Sequence, residues 1–176
     1  MNSQPSIFLR KVEPDDLPLL YQWENDADAW LDGDTHNPLS QADLREYILR
    51  TTGDIYLDGQ LRLMICASTT AETGDTATTS DPLGCVDLYN VDIRNRKAAV
   101  AIYVAPMYRG KGVARQALLQ LKSYVTNVLS FRLLYALVRV GNFASLESFR
   151  SADFQCVAEI PHWVNEGNIF VLQSLL

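Results

Sequence analysis

The sequence predicts one α/β domain over residues 1–176, a mixed sandwich of six or seven strands with a single parallel step around a helix that begins after Gly112. Three features carry this expectation. Apolar, partly β-branched runs recur at residues 7–12, 61–68, 83–91, 100–105, 133–140, 155–160 and 169–175, each short enough for a strand. After the fourth of them Val113, Ala114, Ala117, Leu118, Leu121, Val125 and Val128 return at three- and four-residue steps, the period of an amphipathic helix. No repeat or linker divides the 176 residues, a length at which one domain buries roughly 70% of the surface its unfolded chain exposes.

The first run, Ile-Phe-Leu-Arg-Lys-Val, leads into Pro14, Asp15 and Asp16. This is a helix opening, with proline in the first turn and acids at the positive end of the peptide dipoles. Leu17, Leu20 and Tyr21 mark its expected buried face. Residues 25–38 then read as a loop or broken helix carrying Asp26, Asp28, Asp32 and Asp34. Ser40 and Asp43 compose a capping box for a second helix, expected to bury Leu44, Tyr47 and Ile48. Residues 69–81 are rich in threonine, alanine and acids, too poor in large apolar side chains to fold alone, and read as a mobile hairpin loop. The polar stretch 92–97 turns into the central strand, and 142–152 form a short helix before the last two strands.

Fifteen basic against twenty-one acidic residues leave a net charge of −6, which argues against a nucleic-acid partner and suits a cationic one. No run approaches the roughly 18 apolar residues of a membrane span, and the N-terminus lacks the basic-then-apolar order of a signal peptide, so no membrane association and a cytoplasmic location are expected. Cys66, Cys85 and Cys156 stand singly in strand-like runs and are expected to be buried free thiols. His36 and His162 are the only histidines and no H-E-x-x-H spacing exists, so no metal is expected. A serine hydrolase is disfavoured because no G-x-S-x-G elbow is present. Nothing sets the oligomeric state, and a homo-oligomer stays open.

The most informative stretch is Tyr103-Val-Ala-Pro-Met-Tyr-Arg-Gly-Lys-Gly-Val-Ala-Arg115. Pro106 ends the strand before it, because proline cannot donate to a ladder and disfavours helix in the preceding residue. The following helix opens at glycines, so its unpartnered N–H groups and positive dipole end form an anion cradle, with Arg109 and Lys111 adding charge. It is not a Walker loop, and Arg115 stands where a dinucleotide fingerprint has its third glycine.

The run Arg109-Gly-Lys-Gly112-Val-Ala114, straight after a strand ended by Pro106, resembles the R/Q-x-x-G-x-G/A pyrophosphate segment of the GNAT superfamily, the acyl-CoA-dependent N-acyltransferases. The segment from Asn142 through Ser145 and Phe149 to Phe154 resembles that family's N-x-x-S/A-x-x-x-Y-x-x-x-G-F, with two departures: Phe149 takes the tyrosine position and Asp153 the glycine. Asp87-Leu-Tyr-Asn-Val, the Arg94-Asn-Arg96 run and Trp163 are most similar to spermidine-acetyltransferase-like members. The resemblance implies a GNAT-like, mostly antiparallel sheet with helices on both faces and a central splay, and acetyl-CoA as acetyl donor without a metal. It places backbone of Ile102, Tyr103 and Val104 along the pantetheine, Arg109, Gly110, Lys111, Gly112, Val113 and Ala114 around the pyrophosphate, and Asn142, Ser145 and Phe149 near the thiol end. Asn142 also suits a helix N-cap whatever the ligand.

The expected reaction is acetyl transfer to a primary amine by direct attack, with a polyamine-like small amine as acceptor. Acetylation of protein N-termini, and a non-catalytic acyl-CoA sensor left by the loss of a tyrosine at Phe149, stand as alternatives. Asp87 interrupts an apolar strand and is the candidate catalytic residue, acting on the amine through water or holding its ammonium; an outward-facing strand residue is the plain alternative. Glu24, Asp32 and Asp34 are the candidate substrate-binding residues, part with Asp26 and Asp28 of an acidic cluster that is a docking rim for the amine or simply a solvated loop.

Overall fold

The computed structural model describes residues 6–26, 37–68, 82–164 and 167–176, so the expected hairpin loop over 69–81 and the candidates Asp28, Asp32 and Asp34 lie outside the described residues. Strands β1 (Ile7–Lys11), β2 (Leu61–Ala67), β3 (Pro82–Asp92), β4 (Lys97–Val104), β5 (Leu133–Arg139), β6 (Gln155–Val164) and β7 (Gly167–Leu175) build one sheet in the order β1-β2-β3-β4-β5-β7-β6. Every neighbouring pair is antiparallel except β4 and β5. The single parallel step needs a crossover, and α4 (Val113–Asn127) supplies it.

Alternation along the strands sends two sets of side chains to opposite faces. On one face Ile65, Val86, Leu88, Val100 and Leu134 meet Val113, Ala117, Leu118, Leu121 and Val125 of α4, with Leu146 and Phe149 of α5 (Phe143–Ser151) joining the same cluster. On the other face Met64, Cys66 and Cys85 meet Leu20 and Trp23 of α1 (Leu17–Glu24) and Leu44 of α2 (Gln41–Arg50). Helices thus cover both faces of β1 to β4. Ser40 and Asp43 cap α2 reciprocally, Asp43 N–H donating to Ser40 Oγ at 3.1 Å and Ser40 N–H to Asp43 Oδ2 at 2.9 Å.

Several local expectations are corrected. In α1 the buried aromatic is Trp23 and not Tyr21, because Trp23 stands three residues from Leu20 on the helix face that packs against Met64, Cys66 and Cys85. Asp16 does not face solvent at a helix start; it is buried, accepting two 2.7 Å hydrogen bonds from Arg10 and one of 2.8 Å from Glu13 N–H. The short helix α3 (Ile55–Asp58) was not expected, since four residues carry no period, yet it buries Ile55 in the α4-side core. Cys66 and Cys85 are buried as expected, but Cys156 is exposed because β6 is the outer strand, with only β7 beside it. Val128 ends α4 facing out.

Candidate active site

At the end of β4 the chain passes through a 3-10 turn, Pro106–Tyr108, and then through Gly110 at φ 71° and Gly112 at φ 75°. Other residues adopt this left-handed backbone only at a cost of roughly 1–2 kcal/mol, so the two glycines make the turn. Gly112 is the N-cap of α4 and no side chain caps it. The first helical bond runs from Gln116 N–H to the Gly112 carbonyl at 3.1 Å, leaving the amides of Val113, Ala114 and Arg115 ahead of the ladder. A Cβ placed on Gly110 would meet nothing within 4 Å, so the space beside the turn at Gly110 is open. Arg109 donates through Nε to the Val104 carbonyl at 2.9 Å and lies 5.7 Å over the Tyr103 ring. That contact ties the turn to the last residue of β4.

Beside the turn the sheet opens. Strands β4 and β5 pair only at Lys97 with Leu133, Ala98 with Leu134 and Ala99 with Tyr135. Beyond these positions β4 stays on β3 as far as Val104, and β5 stays on β7 as far as Arg139. The inner edges of the two strands therefore part, and backbone groups of β4 that face away from β3, along Val100 to Val104, have no strand partner. Such an edge suits the amides of an extended ligand.

Helix α5 begins on the far side of the opening. Asn142 Oδ1 accepts from Ser145 N–H at 3.0 Å, the capping role its residue type favours. The helix ends in a six-to-one bond from Phe154 N–H to the Phe149 carbonyl at 3.1 Å and a five-to-two bond from Asp153 N–H to Arg150 at 3.0 Å. Asp153 takes the left-handed position of this motif at φ 63°. Phe149 is buried, with its ring packed edge-on to Phe154 at 5.0 Å.

A cleft of about 360 Å³ lies on the opposite face, lined among others by Glu24, Asp43, Tyr47, Arg62, Asp87 and Tyr89. Asp87 on β3 stands across from Arg62 on β2 and Ala101 on β4. Arg62 donates to both Asp87 oxygens, Nε to Oδ1 at 2.6 Å and Nη2 to Oδ2 at 3.0 Å, and its Nη1 donates to Glu24 Oε1. Its guanidinium also lies 5.9 Å over the Tyr47 ring. Burial opposes the Arg62 charge, but the surrounding negative groups, Asp87 foremost, outweigh it and raise its pKa well above the ordinary value. The same burial pushes the nearby Cys85 thiol up to about 12, with Asp87 adding to the shift, so it stays protonated and is no nucleophile. Tyr103 is raised by burial first and by Asp26 second.

The model of the acetyltransferase (GNAT) domain matches residues 6–155. The chain belongs to the GNAT acetyltransferase family. It is 26% identical over 165 residues to spermidine N(1)-acetyltransferase of Escherichia coli, a match covering 92% of this chain and 80% of the relative. Its fold is similar to that of a Vibrio cholerae spermidine N-acetyltransferase solved in complex with CoA and spermine, with a TM-score of 0.81, 20% identity and coverage of 99% and 96%. A domain from Methanocaldococcus jannaschii aligns with a TM-score of 0.73 at 16% identity, covering 98% of this chain and 99% of that one.

In this GNAT domain the expected donor-side residues fall in two neighbouring groups. Ile102 and Val104 lie on the opened edge, Tyr103 between them turns its carbonyl toward Gly84 of β3, and Arg109 to Ala114 form the turn at its end. Asn142 and Ser145 sit together at the start of α5, whereas Phe149 is turned into the core. Asp87 is neither solvent-facing nor alone: it lines the cleft with Glu24, the two joined through Arg62. Arg62, Tyr47 and Asp43 were missed. The available signal was Arg62 itself, a lone charge in an apolar strand just as Asp87 is in its own. Among the described residues no group of three or more His, Cys, Asp or Glu is placed to hold a metal, and no helix is long and apolar enough to cross a membrane.

Proposed function

We propose that this protein transfers an acetyl group from acetyl-CoA to a primary amine of a small polycation of the polyamine type, by direct attack with both substrates bound. The reading is carried by the parting of β4 and β5 beside an uncapped helix start, and the amine by the carboxylates of the cleft on the other face. The spermidine acetyltransferases among its relatives support the acceptor class.

On this reading the amides of Gly110 to Ala114 hold the pyrophosphate with charge from Arg109 and Lys111, and the open edge at Ile102 and Val104, on either side of Tyr103, takes the pantetheine amides. Acetyl-CoA, when bound, supplies the activated acyl group and a thiolate leaving group. An alkylamine has a pKa of about 10.4 and arrives mostly as ammonium, so its proton must leave before attack. Asp87 is oriented by two hydrogen bonds from Arg62 and keeps further lone pairs for the ammonium, from which the proton passes to water. An amide of β4 facing the opening stabilises the oxyanion. Phe149 offers no phenol, and a thiol of pKa near 8.5 leaves with only modest help, from water or from Tyr103 or Tyr89.

The test is release of free thiol from acetyl-CoA with spermidine, 1,4-diaminobutane and a short peptide amine, alongside calorimetry of acetyl-CoA binding. Gly112→Val should abolish binding while circular dichroism stays native, and Asp87→Asn should lower kcat/KM by roughly 10²-fold with binding unchanged. Native affinity in Gly112→Val would refute the cradle. Binding without thiol release for any amine would favour the sensor, and release with the peptide alone the N-terminal acetyltransferase.

A further inference from the structure

Two carboxylates and one guanidinium meet at the inner end of the cleft. Glu24 and Asp87 each accept from Arg62, and the three side chains keep 21%, 22% and 18% of their surface, so the array is sheltered yet reachable. Two negative charges and one permanent positive charge leave one negative charge on the array. Tyr47 and Tyr89 line the same cleft, Cys85 stands two residues before Asp87 on the same face of β3 with its thiol protonated, and Asp43 lines the cleft, exposed and bound to Ser40. Sheltered charges are costly unless balanced, and a single ammonium balances this array.

We propose that Arg62 determines acceptor specificity by charge count: it cancels one of the two cleft carboxylates, so that the inner end of the cleft takes one ammonium group and no more. The inference rests on the amine-acceptor reading above and deepens it. Arg62 also fixes where the ammonium sits, since it occupies the side of Asp87 that faces β2 and leaves the remaining lone pairs to the cleft. A second ammonium held close to the first, as in a short diamine, meets the guanidinium and not a second free carboxylate. A longer polyamine avoids this by placing its second ammonium toward Asp43.

The experiment compares n-butylamine with 1,4-diaminobutane, both as acceptors by kcat/KM and as ligands by calorimetry without acetyl-CoA. In bulk water one unit charge about 5 Å away is worth roughly a factor of 4, and more in a sheltered cleft. Arg62→Gln leaves two negative charges on the array, so the diamine-to-monoamine ratio should rise by roughly 4-fold or more. Glu24→Gln leaves the array neutral, and KM for n-butylamine should rise by a similar factor of roughly 4 while the acetyl-CoA Kd holds. The double variant Arg62→Gln/Glu24→Gln restores one negative charge and should return the ratio to within about twofold of wild type. Arg62→Lys keeps the charge and loses the two-pronged grip, so the ratio should hold while kcat falls.

An unchanged ratio in Arg62→Gln, or a double variant that behaves like Arg62→Gln, overturns the proposal. If Arg62→Gln does not fold, Glu24→Gln and Arg62→Lys decide it: an unchanged KM for n-butylamine in Glu24→Gln, or a ratio that changes in Arg62→Lys, overturns the proposal. Should wild type release no thiol with any amine, the proposed function fails, and the calorimetric ratios still decide the charge rule.

Discussion

Gly84 is where the fold and the donor side of the site depend on a single hydrogen atom. It lies on β3 opposite Val104, the last residue of β4 before the cradle. A Cβ built there would stand 2.1 Å from the Tyr103 carbonyl oxygen and 3.0 Å from Val104 Cα, both backbone atoms that no rotamer change can move. Carbon–oxygen contacts between strands do not fall below about 3.3 Å, so in Gly84→Ala one strand must retreat by roughly 1 Å. Overpacking of this kind costs about 1–3 kcal/mol, and a backbone clash belongs at the upper end. Alanine returns at most about 1 kcal/mol through its stiffer unfolded chain, leaving a net loss of about 2 kcal/mol. For a domain of this size that is a fall in Tm of about 4–8 °C in a calorimetric melt. The displaced strand is the one whose outer edge faces the opening, and a misplacement of about 1 Å can cost roughly 10²-fold in rate, so kcat/KM should fall along with Tm. A Gly84→Ala protein that melts and turns over like wild type would refute the close approach of β3 and β4 and the dependence of the site on it.

Asp153→Gly should raise Tm by about 2–4 °C, because glycine relieves the left-handed φ of 63° at the end of α5 by about 1 kcal/mol; a lower melt would mean the carboxylate makes a stabilising contact that offsets its strain. Phe149→Tyr should lose about 1–3 kcal/mol of stability in urea titration, since its hydroxyl enters an apolar cluster with Phe154; undiminished stability would show that the phenol finds a partner at the opening. Thiol titration of the native protein should count one fast cysteine, Cys156, with Cys66 and Cys85 reacting only on unfolding. The Cys85 thiol has a pKa raised from 9.0 to about 12, so the folded state holds its proton more tightly than the unfolded chain does. Its contribution is complete below pH 9 and is lost as pH rises from 9 toward 12, at up to about 1.4 kcal/mol per pH unit, and Cys85→Ala should flatten that decline in alkaline melts.

What the sequence determines by itself is whatever depends on neighbours in the chain. Proline at 106, glycine at 110 and 112 and the apolar period from Val113 are all local, so the strand, the turn and the helix start were legible without any tertiary contact. The same holds for the Ser40–Asp43 box and the Asn142 cap, each closed within three residues. Tertiary structure decided the rest. The opening between β4 and β5 exists because two strands pair at one end and follow different neighbours at the other, a property of the whole sheet and not of either strand. The burial of Trp23 in place of Tyr21, and the exposure of Cys156, follow from which strands and helices lie beside them, which no residue announces in its own segment. The Asp87 partnership spans 25 residues to Arg62 and a further 38 from there to Glu24, joining β3, β2 and the end of α1. A lone aspartate in a strand reads locally as a solvent-facing residue or an active one; only the sheet register, setting Arg62 across from it, gives it an orientation and a countercharge.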